Sequence, residues 1–342
     1  MGSRQLYGSG AWVATFRRLR LALYLASLSL AFRATSAQTI FSSTDASRPT
    51  IRSTSELVIV PALVRSSSGE PLTDLQASDF RVSDNGIEQR VFVEQGRGQP
   101  LAVVVVMQTG GVASSQLQNY SKLDKMIEET LGGSNRALAL VTFDSRPDEI
   151  WGFPPLVDGL YYALTHQEGG DNGAAILDAV SCAIQLLEPQ PPNFRRIILL
   201  LSQGQDHGSE GHAEDVLQLL GKNNTTVYSL MFSSENNAKR RRRGRHDSAS
   251  SSVSAISNAI RTASAEQLAA QSGGESATFS DQGELEKQLV TFADDIDNEY
   301  ILSFTPSSRQ FGLHTIVVQI DKAAPATITA RKTYWLENTS KH

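Results

Sequence analysis

The feature that most constrains the fold is an alternation of short apolar runs with segments of helical periodicity. Nearly continuous apolar runs of this length are typical of strands that are covered on both faces. Four such runs occur: Leu101–Met107, Ala137–Phe143, Arg196–Leu201 and Val227–Phe232. Parallel strands need helical crossovers, so strands that alternate with helices predict a doubly wound α/β domain with a mostly parallel sheet.

Five segments of helical period accompany these runs. Each places apolar residues three or four positions apart, as on one face of a helix. The segments are the stripe Leu117–Leu131, the stripe Ile176–Leu187, the stripe Val216–Leu220, "TASAEQLAAQSGG", which ends at a glycine cap, and "GELEKQLVTFADDI". They predict helices on both faces of the sheet.

The sequence on either side of this region alternates apolar and polar residues, as strands with one wet face do. Before it come "SELVIVPALV", the pair Phe80 and Val82, the turn signal Asp84-Asn85-Gly86, and the pair Val91 and Val93. After it come "YILSFTP", "HTIVVQI" and "TITARKTYWL", each expected to be one strand. The order predicts an α/β domain inserted between the two halves of a small β-sandwich.

The first residues are expected to be an export signal rather than part of the fold. Arg17, Arg18 and Arg20 precede the apolar run "LALYLASLSLAF", and "ATSA" then offers small residues to a signal peptidase, so we place the cut after Ala37. The alternative is an uncleaved anchor. With cleavage we expect an exported protein (periplasmic, cell-surface or secreted) without a transmembrane span.

These patterns divide the chain into six segments. They are 1–37 (signal peptide), 38–54 (linker), 55–98 (first part of the β-sandwich), 99–298 (α/β domain), 299–336 (second part of the β-sandwich) and 337–342 (tail). The single cysteine, Cys182, allows no disulfide within the chain, so packing must stabilise the fold.

The net charge of the chain restricts the kinds of partner that it can bind. A formal net charge of −5 argues against general nucleic-acid binding, which needs a basic surface. One basic run is expected to be a solvated loop, with contact to an anionic surface as the main alternative and adventitious proteolysis as the third. Its basic residues are Lys239, Arg240, Arg241, Arg242, Arg243 and Arg245.

Two segments carry a resemblance to a known family. "LVIVPALVRSSSGEPLTDLQASDFRVSDNG" precedes the predicted α/β domain and "YILSFTP" follows it. In this respect the chain, from Ser55 to Leu336, resembles the VWFA-related family first described from acidobacteria. The resemblance implies that the α/β domain is a von Willebrand factor type A domain.

In type A domains, a divalent ion sits at the carboxyl end of the sheet, held by loops that carry D-x-S-x-S, a Thr and an Asp. On that pattern the ligand positions fall on Gln108, Gly110, Val112, Ala174 and Gln203. None of these residues is anionic, and a neutral set of this kind has little affinity for Mg²⁺. The sequence therefore predicts no metal and no other cofactor. The alternative is a relocated metal site built from Asp171, Asp178, Asp206, Ser114 and Ser115.

No catalytic motif is present, and we expect a protein that is not an enzyme and binds an unidentified protein through these loops. A silent type A domain in an envelope scaffold is the main alternative. A hydrolase using Asp206, His207 and His212 is the third hypothesis, although their spacing matches no known ligand motif. The predicted partner-binding residues are Gln108, Thr109, Gly110, Gly111, Ser114, Asp171, Asn172, Gln203, Gln205 and Asp206.

Overall fold

The computed structural model describes residues 57–133, 135–154, 157–233, 252–308, 310–321 and 325–337, all within the unit Thr54–His342. The architecture is α/β, with one six-stranded, mostly parallel sheet and two four-stranded antiparallel sheets. The predicted fold class is confirmed.

The six-stranded sheet has the order β10-β9-β8-β5-β6-β7. Neighbouring strands run parallel except for β7, which pairs antiparallel with β6. All eight residues of β5 are buried, as expected for a strand covered on both faces. The strands are β5 (Leu101–Gln108), β6 (Arg136–Phe143), β7 (Pro147–Trp151), β8 (Arg195–Ser202), β9 (Thr225–Phe232) and β10 (Ser276–Phe279).

Helices cover both faces of this sheet. Helices α1 (Leu123–Leu131), α2 (Val157–Thr165) and α7 (Gln282–Asn298) pack into one apolar core. A second core on the opposite face takes the remaining helices. These are α3 (Ile176–Leu187), α4 (Ala213–Lys222), α5 (Val253–Thr262) and α6 (Ser264–Ser272).

The two antiparallel sheets form a β-sandwich. Both contribute to one apolar core, in which the Phe80 and Tyr300 rings meet edge to face with their centroids 5.1 Å apart. One sheet has the order β13-β1-β11-β4, with strands Ala326–Ala330, Val58–Ser66, Tyr300–Phe304 and Phe92–Gln95. The other has the order β14-β12-β2-β3, with strands Thr333–Leu336, Gly312–Ile320, Phe80–Asp84 and Ile87–Gln89.

The structure corrects two of the predicted elements. The stripe Leu117–Leu131 is not one helix: 3₁₀ turns occupy Gly111–Ser115 and Leu117–Tyr120, and the α-helix begins only at Leu123. The segment "TITARKTYWL" is two strands that belong to different sheets. Between them Arg331 is buried, and its guanidinium donates to the carbonyl oxygens of Ile59 and Thr225.

Several predictions lie outside the described residues: the signal 1–37, the linker 38–54 and the basic run Lys239–Arg245. Among the residues that are described, no helix is both long and apolar enough to cross a membrane.

A buried ionic network lies where the sandwich meets the base of the α/β sheet. The Glu299 carboxylate accepts hydrogen bonds from the guanidinium of Arg195 on β8 and, at 2.5 Å, from the hydroxyl of Tyr228 on β9. Nearby, Arg65 of β1 donates to Glu275 at 2.5 Å and to Asp295 at 2.6 Å. These contacts hold the sandwich to α7 and to the start of β10 with groups of opposite charge.

Burial raises the pKa of two carboxyl groups in this network. Desolvation raises the pKa of Asp295 to about 6, although the charge of Arg65 opposes the shift. Desolvation likewise raises the pKa of Glu299 to about 7, against the opposing effects of Arg195 and the Tyr228 hydroxyl. Both carboxyls therefore bind a proton more tightly in the folded chain than in the unfolded one.

This difference predicts that the free energy of unfolding falls as the pH rises. A carboxyl group whose pKa is higher in the folded chain than in the unfolded one stabilises the fold fully below its unfolded pKa of about 4. This contribution is lost as the pH rises through the folded pKa values, which are about 6 for Asp295 and about 7 for Glu299. Urea unfolding at several pH values between those limits measures the slope. Glu299→Gln, which cannot titrate, should make the slope shallower. An unchanged slope in that variant would contradict the assignment.

Candidate binding site

The three loops that the sequence singled out meet at the carboxyl end of the parallel sheet. The Gly111 N–H donates to the carbonyl oxygen of Asp171 at 2.6 Å, which joins the loop after β5 to the loop before α3. Ala174 and His207 exchange backbone hydrogen bonds of 2.9 and 2.8 Å, which join that loop to the loop after β8. The loops therefore form one continuous surface.

Two glutamine amides occupy the centre of this surface. Gln108 is fully buried, and its Oε1 accepts a hydrogen bond from the Gln203 backbone N–H at 2.8 Å. Its Nε2 donates to the carbonyl oxygen of Gly110 at 2.9 Å and to Oε1 of Gln203 at 3.3 Å. The Gln203 amide in turn donates to the carbonyl oxygen of Gln205 at 2.7 Å. We call Gln108 and Gln203 the amide pair.

The amide pair does not fit the divalent ion of type A domains. A cation needs oxygen lone pairs directed at it, whereas the Gln108 side chain turns its NH₂ group toward Gly110 and Gln203. The backbone N–H of Gln203 fixes that orientation, since it can bond only to the amide oxygen. Two other positions of the type A ligand pattern, Val112 and Ala174, present only methyl groups.

Two carboxylates beside the amide pair are bonded within the loops. Asp171 accepts hydrogen bonds from the backbone N–H of Ser145 at 3.0 Å and that of Gly173 at 2.7 Å. The Ser145 hydroxyl and the Gly173 N–H lower the pKa of Asp171, so its charge persists into acid. Asp144 accepts from the Asp171 N–H at 3.1 Å. The relocated metal site would need the Asp171 oxygens, and these already accept loop N–H groups.

Asp178 and Asp206 brace the adjacent loop. Asp206 accepts hydrogen bonds from the backbone N–H of Leu177 at 3.0 Å and from the Ser209 hydroxyl at 2.6 Å. Asp178 accepts from the backbone N–H groups of Glu210 and Gly211 at 2.9 and 2.8 Å. Both carboxylates hold the loop after β8 against the start of α3.

The residues of the hydrolase hypothesis are used differently. His207 engages the loop through its backbone, and His212 is the N-cap residue of α4 without a side-chain capping bond. Within the described residues, no group of three His, Cys, Asp or Glu side chains is placed to hold a metal ion.

Glycines allow the loops to approach closely. A Cβ on Gly110 would lie 2.6 Å from both the Asp171 carbonyl oxygen and the Asp144 Cβ. A Cβ on Gly173 would lie 2.3 Å from the Ser145 Cα. Any side chain at either position would push the loops apart, so the glycine-rich turn after β5 is a packing requirement of this site.

The predicted partner-binding residues divide into buried and exposed groups. Gln108 and Thr109 are 0 % and 4 % exposed, so their side chains lie beneath the surface. Gly110 is buried too, while Gly111, Gln203 and Asp206 are half-buried. The exposed members are Ser114, Asp171, Asn172 and Gln205. Val112, at the edge of the same loop, is 55 % exposed and adds an apolar side chain to this face.

Asp144 and Ser145 are part of the site, and the sequence interpretation missed them. They follow β6 directly, so they reach the same edge of the sheet as the other loops. The available signal was an Asp-Ser pair immediately after the apolar run that ends at Phe143.

Comparison with known proteins relates the chain to solved structures only. No protein-family model and no curated protein matches it. BatB from Bacteroides thetaiotaomicron is 12 % identical, with 57 % of this chain and 98 % of that chain covered and a TM-score of 0.37. The PilB minor pilin from Streptococcus sanguinis is 15 % identical, with 59 % and 62 % covered and a TM-score of 0.40.

Proximal thread matrix protein 1 from the mussel byssus is a third similar structure. It is 15 % identical, with 62 % of this chain and 49 % of that chain covered and a TM-score of 0.42. The mixed, mostly parallel sheet is consistent with the type A fold.

Proposed function

We propose that this protein is a non-enzymatic, protein-binding module of the VWFA-related type that works without a metal ion. The observation that supports the proposal is the amide pair at the point where type A domains hold their cation. Each of its side chains is satisfied by a group of the protein itself. The partner is therefore not bridged through an ion to one of its carboxylates, and it contacts the loops directly.

The binding face consists of the exposed side chains around the amide pair. Val112 supplies apolar area, and Asn172 and Gln205 supply amide groups that pair with a partner's backbone or amides. The buried Gln108 and Thr109 position the loops and do not touch the partner. Interfaces of this composition depend on shape and hydrogen bonds, so their affinity responds little to chelators.

The proposed location is outside the cytoplasm: periplasm, cell surface or surrounding medium. The support is the sequence before residue 38, where three arginines precede an apolar run and small residues follow it. An exported binding module would meet its partner in or beyond the envelope.

The test compares two charge insertions at equally exposed valines. Val112→Arg, in the proposed binding face, should weaken capture of the partner from an envelope fraction by about tenfold or more, since a desolvated contact is lost and a charge is buried. Val290→Arg, on α7 away from these loops, is the matched control because Val290 is 54 % exposed against 55 % for Val112. EDTA should change neither result.

Other outcomes would decide between the alternatives. Equal capture by both variants would contradict the binding face and favour the scaffold with a silent type A domain. Capture that EDTA abolishes would favour a relocated metal site. A measured hydrolytic activity that His212→Ala removes would favour the hydrolase.

A further inference from the structure

A cavity of about 330 Å³ lies at the base of the α/β sheet, at the opposite end of the strands from the amide pair. Small-molecule sites have volumes of about 300–1,000 Å³ and mostly apolar walls. One wall of this cavity comes from the sandwich, and the other from the loop before β8 and the first residues of β8 and β9. Both walls contribute apolar side chains: Ile59, Pro61 and Ile301 from the sandwich, and Pro192, Phe194 and Ile197 from the α/β domain. This space, which we call the base cavity, therefore has the size and lining of a small-molecule site.

Arg196 lines the base cavity without a carboxylate bonded to it. Its guanidinium donates to the backbone carbonyl oxygens of Leu187, Gln190 and Asn223 at 3.1, 2.9 and 3.3 Å. Among the described residues, Arg196 forms no ion pair, and the more distant charge of Glu188 does not offset the desolvation that lowers the pKa of Arg196. A guanidinium has five N–H groups, so two of them, one on each terminal nitrogen, remain for a ligand.

The Asn224 amide is a second donor on the wall of the base cavity. Its Oδ1 accepts hydrogen bonds from the Arg331 guanidinium at 2.8 Å and from the Ile59 N–H at 3.3 Å. These two donors fix the orientation of the amide, so its NH₂ group is the part left for other acceptors. Arg331 is itself buried, its guanidinium bonds to no carboxylate among the described residues, and desolvation lowers its pKa to about 10. A second guanidinium without a bonded carboxylate therefore lies directly behind the cavity wall.

The charged groups that line the base cavity, or bond to its lining residues, have a positive sum. A third guanidinium, Arg195, is paired with Glu299, a carboxyl whose pKa burial raises to about 7. The carboxylate of Glu94 also lines the cavity, but it is exposed and accepts a hydrogen bond from Gln99 at 3.2 Å. Three guanidinium groups are thus balanced by only two carboxylates. The cavity therefore attracts an anion.

We infer that the base cavity binds a small organic carboxylate with an apolar body. Arg196 and Asn224 donate to the carboxylate oxygens, and the apolar side chains of the two walls cover the body. A carboxylate suits the two N–H groups that Arg196 has left, because arginine commonly binds carboxylates through two parallel hydrogen bonds. This inference does not depend on the proposed protein-binding face, which lies at the other end of the strands.

The test is isothermal titration calorimetry of the whole chain with sodium octanoate. Octanoate should bind saturably to one site, and about tenfold or more tightly than octan-1-ol, which has the same apolar body without the charge. Acetate, which has the charge without the body, should show no saturable binding. The inference is overturned if octanoate shows no saturable binding, or if either octan-1-ol or acetate binds as tightly as octanoate.

Two pairs of variants show whether the octanoate occupies the base cavity. Arg196→Gln and Arg196→Lys both disturb the bonds to carbonyl oxygens, but only lysine keeps the charge, so octanoate should bind about tenfold more weakly to the glutamine variant. Glu94→Gln removes the exposed carboxylate of the lining and should tighten binding by about threefold. Glu286→Gln, the same change at an exposed position of α7, should leave the affinity unchanged.

The second pair keeps the test decisive if the Arg196 variants are unfolded by circular dichroism, because Glu94 and Glu286 are both exposed. Equal affinity of Glu94→Gln and Glu286→Gln for octanoate would contradict binding in the base cavity. So would equal affinity of two folded Arg196 variants.

Discussion

Replacing Glu299 by alanine is expected to lower the free energy of unfolding by about 3–5 kcal/mol at neutral pH. The side chain of Arg195 is only 10 % exposed, so the change leaves a buried guanidinium without its carboxylate. The Tyr228 hydroxyl, also buried, loses its acceptor. Removing one member of a buried ion pair is costly because the remaining charge keeps its desolvation penalty.

Guanidinium-induced unfolding measures this effect, with two comparison variants. Glu286→Ala removes an exposed carboxylate of α7 and should change stability by less than about 0.5 kcal/mol. Glu299→Gln keeps an acceptor for Arg195 and should cost less than the alanine variant. A loss below about 1 kcal/mol for Glu299→Ala would show that the other acceptors of Arg195, the carbonyl oxygens of Gly96 and Ile296, suffice without it.

Replacing Gln108 by glutamate should make the fold dependent on divalent cations. The buried Nε2 that donates to Gly110 and Gln203 becomes a carboxylate oxygen, which then faces two acceptors. An unpaired buried charge of this kind costs about 3–5 kcal/mol. A divalent ion that coordinated the new carboxylate would offset this charge, so Mg²⁺ or Mn²⁺ should recover part of the lost stability.

Thermal unfolding with and without the ion tests this prediction. The matched control is Gln118→Glu, which makes the same chemical change at an exposed position of the 3₁₀ turn Leu117–Tyr120. Its stability should differ little from that of the wild type, and added ion should have little effect. If Gln108→Glu is as stable as the wild type in EDTA, the amide pair does not have the role assigned to it.

Much of the fold could be predicted because a strand that is buried on both faces is a nearly continuous apolar run in the sequence. The segments that form β5, β6, β8 and β9 are nearly continuous runs of apolar residues. In the helices predicted between them, apolar residues recur every three or four positions. Strands β7 and β10 were missed. Both lie at an edge of the sheet, and "PDEIW" and "SATF" are short and largely polar.

Two other errors have local causes. Leu117, Tyr120 and Leu123 are three residues apart, a spacing that suits a 3₁₀ turn as well as an α-helix, so periodicity alone could not show where the helix begins. In "TITARKTYWL" the break lies at Arg331. A charged residue in an alternating run suggests the wet face of a strand, yet this guanidinium is buried and bonded to carbonyl oxygens of β1 and β9.

The site was predicted in part. Sequence alone placed the three loops at one edge, because strands of a parallel sheet end together. It could not show that the Gln108 amide is buried and bonded to Gln203, since that pairing joins residues 95 positions apart. Nor could it show that Gly110 and Gly173 have no room for a side chain, which depends on the approach of Asp144 and Ser145.

The central claim is that the wild-type site is closed by its own amides and holds no divalent cation. The most direct measurement is anomalous scattering from crystals of the wild type grown with Mn²⁺. The account predicts no manganese peak beside Gln108 and Gln203, with the two amides still bonded to each other. A peak at coordination distance from their side-chain oxygens would contradict it.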